Sequence, residues 1–109
     1  MRLLSSEDKP TAIFSCNNLM TVGCLRALRA LNLSVPENIA LVGFDDVEML
    51  DIFGFPLTVV SRATSDMGTI AMRLLLERIK DPGANAPFQR VVLQSHLKIA
   101  GSEKMPTRP

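Results

Sequence analysis

Few residues of the kinds that build metal or redox sites occur in this sequence of 109 residues. It has one histidine and two cysteines, Cys16 and Cys24, and the cysteines do not form a CxxC pair. Metal sites and redox motifs need clusters of such residues at short spacing, so we expect no metal ion and no cofactor. A disulfide between the two cysteines is geometrically open, but burial of both as small apolar side chains is the favoured interpretation.

A large charge excess and a long apolar run are also absent. The formal net charge is +1, which gives this stretch no electrostatic basis for binding nucleic acid. No apolar run approaches the about 20 residues that cross a membrane. The polar residues directly after Met1–Leu4 exclude a signal-peptide core, so we expect a cytoplasmic protein without a membrane partner. With 47% hydrophobic residues, the chain can build the core of one small domain.

The motifs of common enzymes are missing as well. There is no phosphate-binding loop, no nucleophile elbow and no histidine close to a candidate nucleophile. An enzyme or a phospho-receiver would depend on the paired carboxylates Asp45 and Asp46. The sequence offers neither an evident third metal ligand nor a strand-end lysine to complete such a site, so we expect no enzyme and no catalytic residues.

The residues that are present organise around positions 39–46, Ile-Ala-Leu-Val-Gly-Phe-Asp-Asp. Five of the first six are apolar without polar alternation, which predicts a strand buried on both faces, the usual state in a parallel sheet. The run ends on Asp45 and Asp46. Ligands of open α/β sheets bind just beyond the carboxyl ends of parallel strands, so Asp45 is the first candidate for contact with a small polar ligand.

A β-α-β unit leads into this strand. Residues 11–16 predict another buried strand, Asn17 is a good helix cap, and apolar residues then recur at helical spacing up to Leu31. A connecting helix of this length requires the two strands to be parallel. We therefore expect Asn17 and Asp45 at the same edge of the sheet.

Further elements follow the central strand. The segment 47–56 is richer in apolar residues than a plain loop, which indicates an interface. Residues 57–60 predict a third strand, a long helix runs from about Ser65 to Lys80, and 90–93 and 96–100 are short strand candidates. The pattern predicts an α/β fold with a three-layer, Rossmann-like parallel sheet.

Several of these segments, in their order and spacing, resemble the C-terminal part of the lactose-repressor (LacI/GalR) family of bacterial transcription regulators. The segments are Pro10–Met20, Gly23–Leu31, Val35–Asp46 and Pro56–Val60. The likeness runs from about Pro10 to Gly101. It implies a partial lobe of the type I periplasmic-binding-protein-like fold.

In that family an N-terminal helix-turn-helix is joined to a two-lobed core. A sugar or another small effector binds between the lobes and changes the operator affinity of a dimer. The resemblance implies that residues 10–101 are the C-terminal part of this effector-binding domain. We expect residues 1–9 to be a truncated helix end and connector, and 102–109 a flexible tail. Operator DNA would be a partner only through a helix-turn-helix that this sequence lacks.

The resemblance also assigns effector contacts. Asp45 matches the family aspartate that accepts effector hydroxyls, and its other interpretation is a turn or cap residue. Asn17 matches a family asparagine that reaches the effector, and it also suits a helix cap. Arg62 and Thr64 follow the third strand, where family members often place a contact. A solvated arginine and a helix cap are the alternatives for these two, and Asp46 is expected to bond the local backbone.

A homodimer is the last implication of the resemblance. The matching interface positions are Val22, Arg26, Met49, Ile52 and Phe53. Packing within one chain is the alternative, although the apolar composition of 47–56 favours an interface for Met49 and Phe53. The leading hypothesis is an effector-binding and dimerisation segment of a LacI-type repressor or regulator, and the second is a fragment of a periplasmic sugar-binding protein.

Overall fold

The computed structural model describes residues 4, 6, 8–81 and 87–107. The elements along the chain are β1 (Ala12–Ser15), α1 (Asn18–Ala30), β2 (Ala40–Phe44), α2 (Glu48–Ile52), β3 (Thr58–Arg62), α3 (Thr64–Lys80) and β4 (Ser95–Lys98). They fall into two compact units. The sheet unit comprises Met1–Ser61 with His96–Pro109, and the helical unit comprises Arg62–Ser95.

The described strands form one four-stranded sheet in the order β1-β2-β3-β4. β1 pairs with β2 and β2 pairs with β3, both in parallel, with Ser15 opposite Gly43 and Gly43 opposite Val59. The chain leaving β4 runs antiparallel to β3, because Ala100 bonds Thr58 and Ser102 bonds Pro56. The α/β class is therefore confirmed, with a sheet that is mostly parallel. The candidate strand at 90–93 is wrong, since those residues are irregular.

The core lies around β2. One buried cluster joins Leu28 of α1 to Ile39 and Leu4, and the other joins Leu41 to Leu57 and Val59. Removing these side chains from water is the main force that holds α1 on the sheet. The expected burial is wrong for Cys16, which is exposed, whereas Cys24 is half-buried and packs against both clusters.

A polar junction completes the contact between α1 and the sheet. Thr21 of α1 is fully buried, and its hydroxyl lies 2.9 Å from both the Ser15 hydroxyl and the Asn17 carbonyl oxygen. Gly43 lies beneath it. A Cβ at Gly43 would come within 3.2 Å of Val59 Cγ1 and 3.4 Å of the Thr21 hydroxyl. The glycine in the central strand therefore serves the close approach of helix to sheet.

The segment expected to be a flexible tail is inserted into the sheet at Ser102, which is fully buried. The Ser102 hydroxyl donates to the Leu41 carbonyl oxygen (2.6 Å) and accepts from the Thr58 N–H (2.7 Å). Its backbone N–H donates to the Pro56 carbonyl oxygen (3.1 Å), and its own carbonyl oxygen accepts from the Leu41 N–H (2.8 Å). Ser102 thus fills the gap between the chains that enter β2 and β3.

Neighbouring residues extend this attachment. The Thr58 hydroxyl donates to the Glu103 carboxylate, and that hydrogen bond lowers the pKa of Glu103 below its usual value. The Thr107 N–H donates to the Glu37 carbonyl oxygen (3.1 Å). The prediction of a flexible tail over 102–109 is wrong for Ser102, Glu103 and Thr107. The prediction rests on the general tendency of chain ends to be poorly ordered unless they are attached, and here hydrogen bonds to distant strands attach these residues.

Candidate functional site

Asp45 follows β2 directly and has a left-handed backbone, with φ of 71°. Non-glycine residues adopt this conformation rarely, and aspartate and asparagine tolerate it best. The Asp45 N–H donates to the Val60 carbonyl oxygen at 3.0 Å, so the backbone is still attached to β3 at this point. The half-buried Asp45 therefore lies where the chain turns out of the carboxyl end of a parallel strand.

Asp46, the next residue, is bonded to two other strands. Its Oδ1 lies 2.6 Å from Lys98 Nζ of β4, and its Oδ2 accepts from the Ser61 hydroxyl of β3. Partial burial raises the pKa of Asp46, but the hydrogen bonds from Lys98 and Ser61 outweigh that effect and hold the pKa below its usual value. The hydrogen bond to Asp46 in turn raises the pKa of Lys98. The expected bonding to local backbone is thus joined by two long-range side-chain partners.

Sequence reasoning missed Lys98 altogether. The expectation that no lysine accompanies the Asp45–Asp46 pair is wrong, because Lys98 forms an ion pair with Asp46. Fifty-two residues separate the two partners along the chain, and only the placement of β4 in the sheet brings them together. The alternation of polar and apolar residues in His96-Leu97-Lys98-Ile99 indicates a strand, but it does not indicate which residue Lys98 contacts.

Asn17 caps α1. Its backbone is extended, with φ of −166°, and its Oδ1 accepts from the Met20 N–H at 2.9 Å. This satisfies one of the free N–H groups of the first helical turn. The side chain is exposed, so its amide NH₂ group can also donate to a ligand.

The sheet register brings Asn17 and Asp45 to one edge. Asn17 lies two residues beyond Ser15, Asp45 lies two residues beyond Gly43, and Ser15 is paired with Gly43. Neighbouring strands are about 4.8 Å apart. The prediction that both polar strand ends share the carboxyl edge of the sheet is confirmed, and the edge carries a carboxylate acceptor beside an amide.

Arg62 and Thr64 belong to the helical unit. Arg62 is the last residue of β3 and Thr64 is the first of α3, and both are exposed. The helix cap is Ala63, which makes no side-chain cap bond, so the interpretation of Thr64 as the cap is wrong. The role of these two residues in effector binding stays a prediction.

An exposed apolar surface lies elsewhere on the sheet unit. α2 was not foreseen in the segment 47–56, and it exposes Met49 and Ile52, with Phe53 directly after it, to 60%, 75% and 75%. On α1, Val22 is half-buried and Arg26 is exposed. We call these five residues the α1–α2 patch. Phe53 also borders a groove against the second half of α1, whose lining includes Leu25, Leu28, Leu33, Val35, Leu50 and Phe55.

In the ranges 8–81 and 87–107 with residues 4 and 6, no group of three or more histidine, cysteine, aspartate or glutamate side chains is arranged to hold a metal ion. Over the same part of the chain, no helix has the length and apolarity needed to cross a membrane.

Comparison with known proteins gives a consistent result. Residues 1–102 match the family described as periplasmic binding protein-like domain. The HTH-type transcriptional repressor PurR of Haemophilus influenzae is 37% identical over 105 residues, which cover 94% of this chain and 31% of that repressor. The ribose operon repressor of the same species is 32% identical over 92 residues, covering 84% of this chain and 27% of the relative. The chain thus spans about a third of the length of the curated relatives it matches.

Solved structures agree. A LacI-family transcriptional regulatory protein from Corynebacterium glutamicum matches with a TM-score of 0.74 and 33% identity over 96% of this chain and 40% of that one. The transcriptional regulator CelR, solved as a complex with cellobiose, matches with a TM-score of 0.73 and 38% identity over 84% of this chain and 28% of that one. The resemblance to LacI-family regulators is therefore confirmed, for a part of their effector-binding domain.

Proposed function

The chain belongs to the periplasmic binding protein-like domain family, and on that basis we propose that it binds a small hydroxylated effector at the carboxyl edge of its sheet. The protein would do so as the C-terminal part of the effector-binding core of a LacI-type transcriptional repressor. The observation that carries the proposal is Asp45, held in a left-handed turn at the end of β2 and beside Asn17 on the same edge.

The chemistry of the two side chains suits a sugar. A carboxylate accepts hydrogen bonds from two neighbouring hydroxyls, and bonds to an ionised acceptor are stronger than those between neutral groups. The Asn17 amide NH₂ donates to a hydroxyl or ring oxygen. A sugar is also the effector suggested by the relatives, one named for a ribose operon and one solved with cellobiose. Arg62 and Thr64 are further proposed contacts.

Self-association is the second part of the proposal. The α1–α2 patch has large apolar side chains in water, and exposed clusters of this kind mark interaction surfaces. A homodimer formed through this patch would bury them. Operator DNA would be bound only through a helix-turn-helix elsewhere in the whole protein.

The effector site is tested by Asp45→Ala in the full-length protein, with Asp8→Ala as the control. Asp8 is an exposed aspartate that precedes β1, so the control removes the same charge away from the carboxyl edge of the sheet. A hydrogen bond to a charged group contributes about 1.5–3 kcal/mol, so D45A should weaken binding of ribose or cellobiose about 10- to 100-fold.

Isothermal titration calorimetry gives the affinities, and an operator–reporter strain gives the response to the sugar. We expect D45A to lose the response with operator binding intact, and D8A to behave as wild type. Unchanged induction in D45A would contradict the site. An export signal in place of a helix-turn-helix in the whole gene product would instead favour a periplasmic sugar-binding protein.

A further inference from the structure

Three strands are fastened together beside Asp45. Asp46 follows β2, Ser61 lies in β3, and Lys98 ends β4, and the Asp46 carboxylate accepts from both of the other side chains. The Asp46 side chain is 31% exposed and that of Lys98 is 58% exposed. The ion pair is therefore accessible to solvent on the lysine side and partly shielded on the carboxylate side.

The position of this cluster matters because of the backbone of Asp45. A left-handed conformation at a residue other than glycine persists where its surroundings hold it. Two sets of hydrogen bonds restrain the Asp45 backbone, one at Asp45 itself and one at the residue that follows it. Its own N–H is bonded to the Val60 carbonyl oxygen, and the next side chain is bonded to Ser61 and Lys98.

The charges lead to the same conclusion. Asp45 and Asp46 are adjacent carboxylates, and Lys98 forms an ion pair with Asp46. Both Asp46 oxygens thus accept hydrogen bonds from protein donors, so the residue directly after Asp45 is attached to β3 and to β4.

We propose that Asp46, with Lys98 and Ser61, is a positioning residue that holds Asp45 in its left-handed turn for ligand binding. The proposal rests on the proposed function of Asp45 and adds three residues to the site. None of the three touches the effector, and each acts through the backbone that joins Asp46 to Asp45.

Lys98→Met removes the ammonium group and keeps an unbranched side chain of similar length. Hydrogen exchange followed by NMR on the full chain reads the Asp45 amide, which is bonded to Val60, and the Leu28 amide in the buried part of α1. We expect the hydrogen-exchange rate of the Asp45 amide to rise at least tenfold in K98M, with no change in the rate of the Leu28 amide. Lys98→Arg keeps the positive charge and should exchange as slowly as wild type at Asp45. Lys104→Met changes an exposed lysine of the same unit and should leave the Asp45 rate unaltered.

Ser61→Ala provides a second variant that removes one hydrogen bond and no charge. It should raise Asp45 exchange by a smaller factor than K98M. Unchanged Asp45 exchange in both K98M and S61A would overturn the proposal, as would failure of K98R to restore it. Failure of the proposed function has a different signature, because it appears as unaltered ribose and cellobiose affinity in D45A.

Discussion

Polar side chains in the interior of this protein all have partners. Ser15, Thr21, Thr58 and Ser102 are buried, and among the described residues no buried side-chain nitrogen or oxygen lacks a hydrogen bond. An unsatisfied buried group costs about 1–3 kcal/mol, so these bonds favour the native arrangement over alternatives that would break them. Nearer the surface, the charged side chains of Asp46 and Lys98 are likewise paired with each other.

The first prediction concerns the acid stability supplied by Asp46. Its pKa is lower in the folded protein than its usual value of 3.8, so the ion pair contributes fully above about pH 4. The contribution is lost as the pH falls through the folded-state pKa. Asp46→Asn should therefore lower the melting temperature at pH 6 and flatten its decline between about pH 5 and pH 3.

The check is a series of thermal melts over that pH range, with Asp8→Asn as the control. The control is better placed at Asp8 than at Asp51, because Asp51 acts electrostatically on Lys98. Asp8→Asn should follow the wild-type profile, since Asp8 is exposed and precedes β1. A D46N profile that stays parallel to wild type through the acid range would be inconsistent with the lowered pKa.

The sequence predicts contacts of the site within one β-α-β unit, but not those between residues that lie far apart along the chain. Asn17 and Asp45 are strand-end residues of one β-α-β unit, so the parallel rule alone predicted their common edge, and the register agrees. The partners Ser61 and Lys98 lie 15 and 52 residues from Asp46, and no local pattern points to either. Local periodicity finds elements, and long-range pairing follows only from the completed sheet.

Two glycines test the contact between α1 and the sheet, one in β2 and one in α1. Gly43 lies beneath α1, where an added Cβ would be 3.2 Å from Val59 Cγ1, whereas Gly23 within α1 has nothing within 4 Å of that position. Overpacking of a tight contact costs about 1–3 kcal/mol, while glycine to alanine at an open helical position gains up to about 1 kcal/mol.

We therefore expect Gly43→Ala to lower the free energy of unfolding and Gly23→Ala to raise it. Urea denaturation followed by circular dichroism measures the free energy of unfolding of both variants, which differ from wild type by the same glycine-to-alanine change. Equal shifts in the two variants would mean that helix and sheet are not in close contact at Gly43.

Elements with strong local signals were predicted well, and those without were not. The strand at β2 and the helices α1 and α3 have sustained apolar patterns, and each lies within a few residues of its expected bounds. α2 has five residues, too few for helical periodicity to appear, so the sequence predicts only a loop there. The sequence predicts a flexible tail over 102–109, although Ser102 is held by strands more than 40 positions away.

At the scale of the whole molecule, exposed apolar residues occur in both units. In the sheet unit they include Met49, Ile52 and Phe53 of the α1–α2 patch, and others such as Leu19, Leu97 and Ile99 lie outside the patch. In the helical unit none of the seventeen residues of α3 is buried. The matched relatives are about three times longer than this chain.

The third prediction tests self-association through the α1–α2 patch. Phe53→Asp places a charge on the patch, and Phe88→Asp places one on an aromatic residue of the helical unit that is 90% exposed. Sedimentation velocity should show a dimer for wild type and F88D, and a monomer for F53D. Wild-type behaviour of F53D would exclude the patch as the dimer contact.

The insertion of Ser102 has a consequence for the order in which the protein is completed on the ribosome. Ser102 is synthesised 61 residues after Leu41 and 44 residues after Thr58, the two residues whose backbone groups it joins. Until it emerges, those groups can be satisfied only by water or by another chain, and unpaired strand ends of nascent proteins are sites of misassembly. The amino-terminal edge of the sheet is therefore closed only after Ser102 has been synthesised, and a chain stalled before Ser102 keeps that edge open.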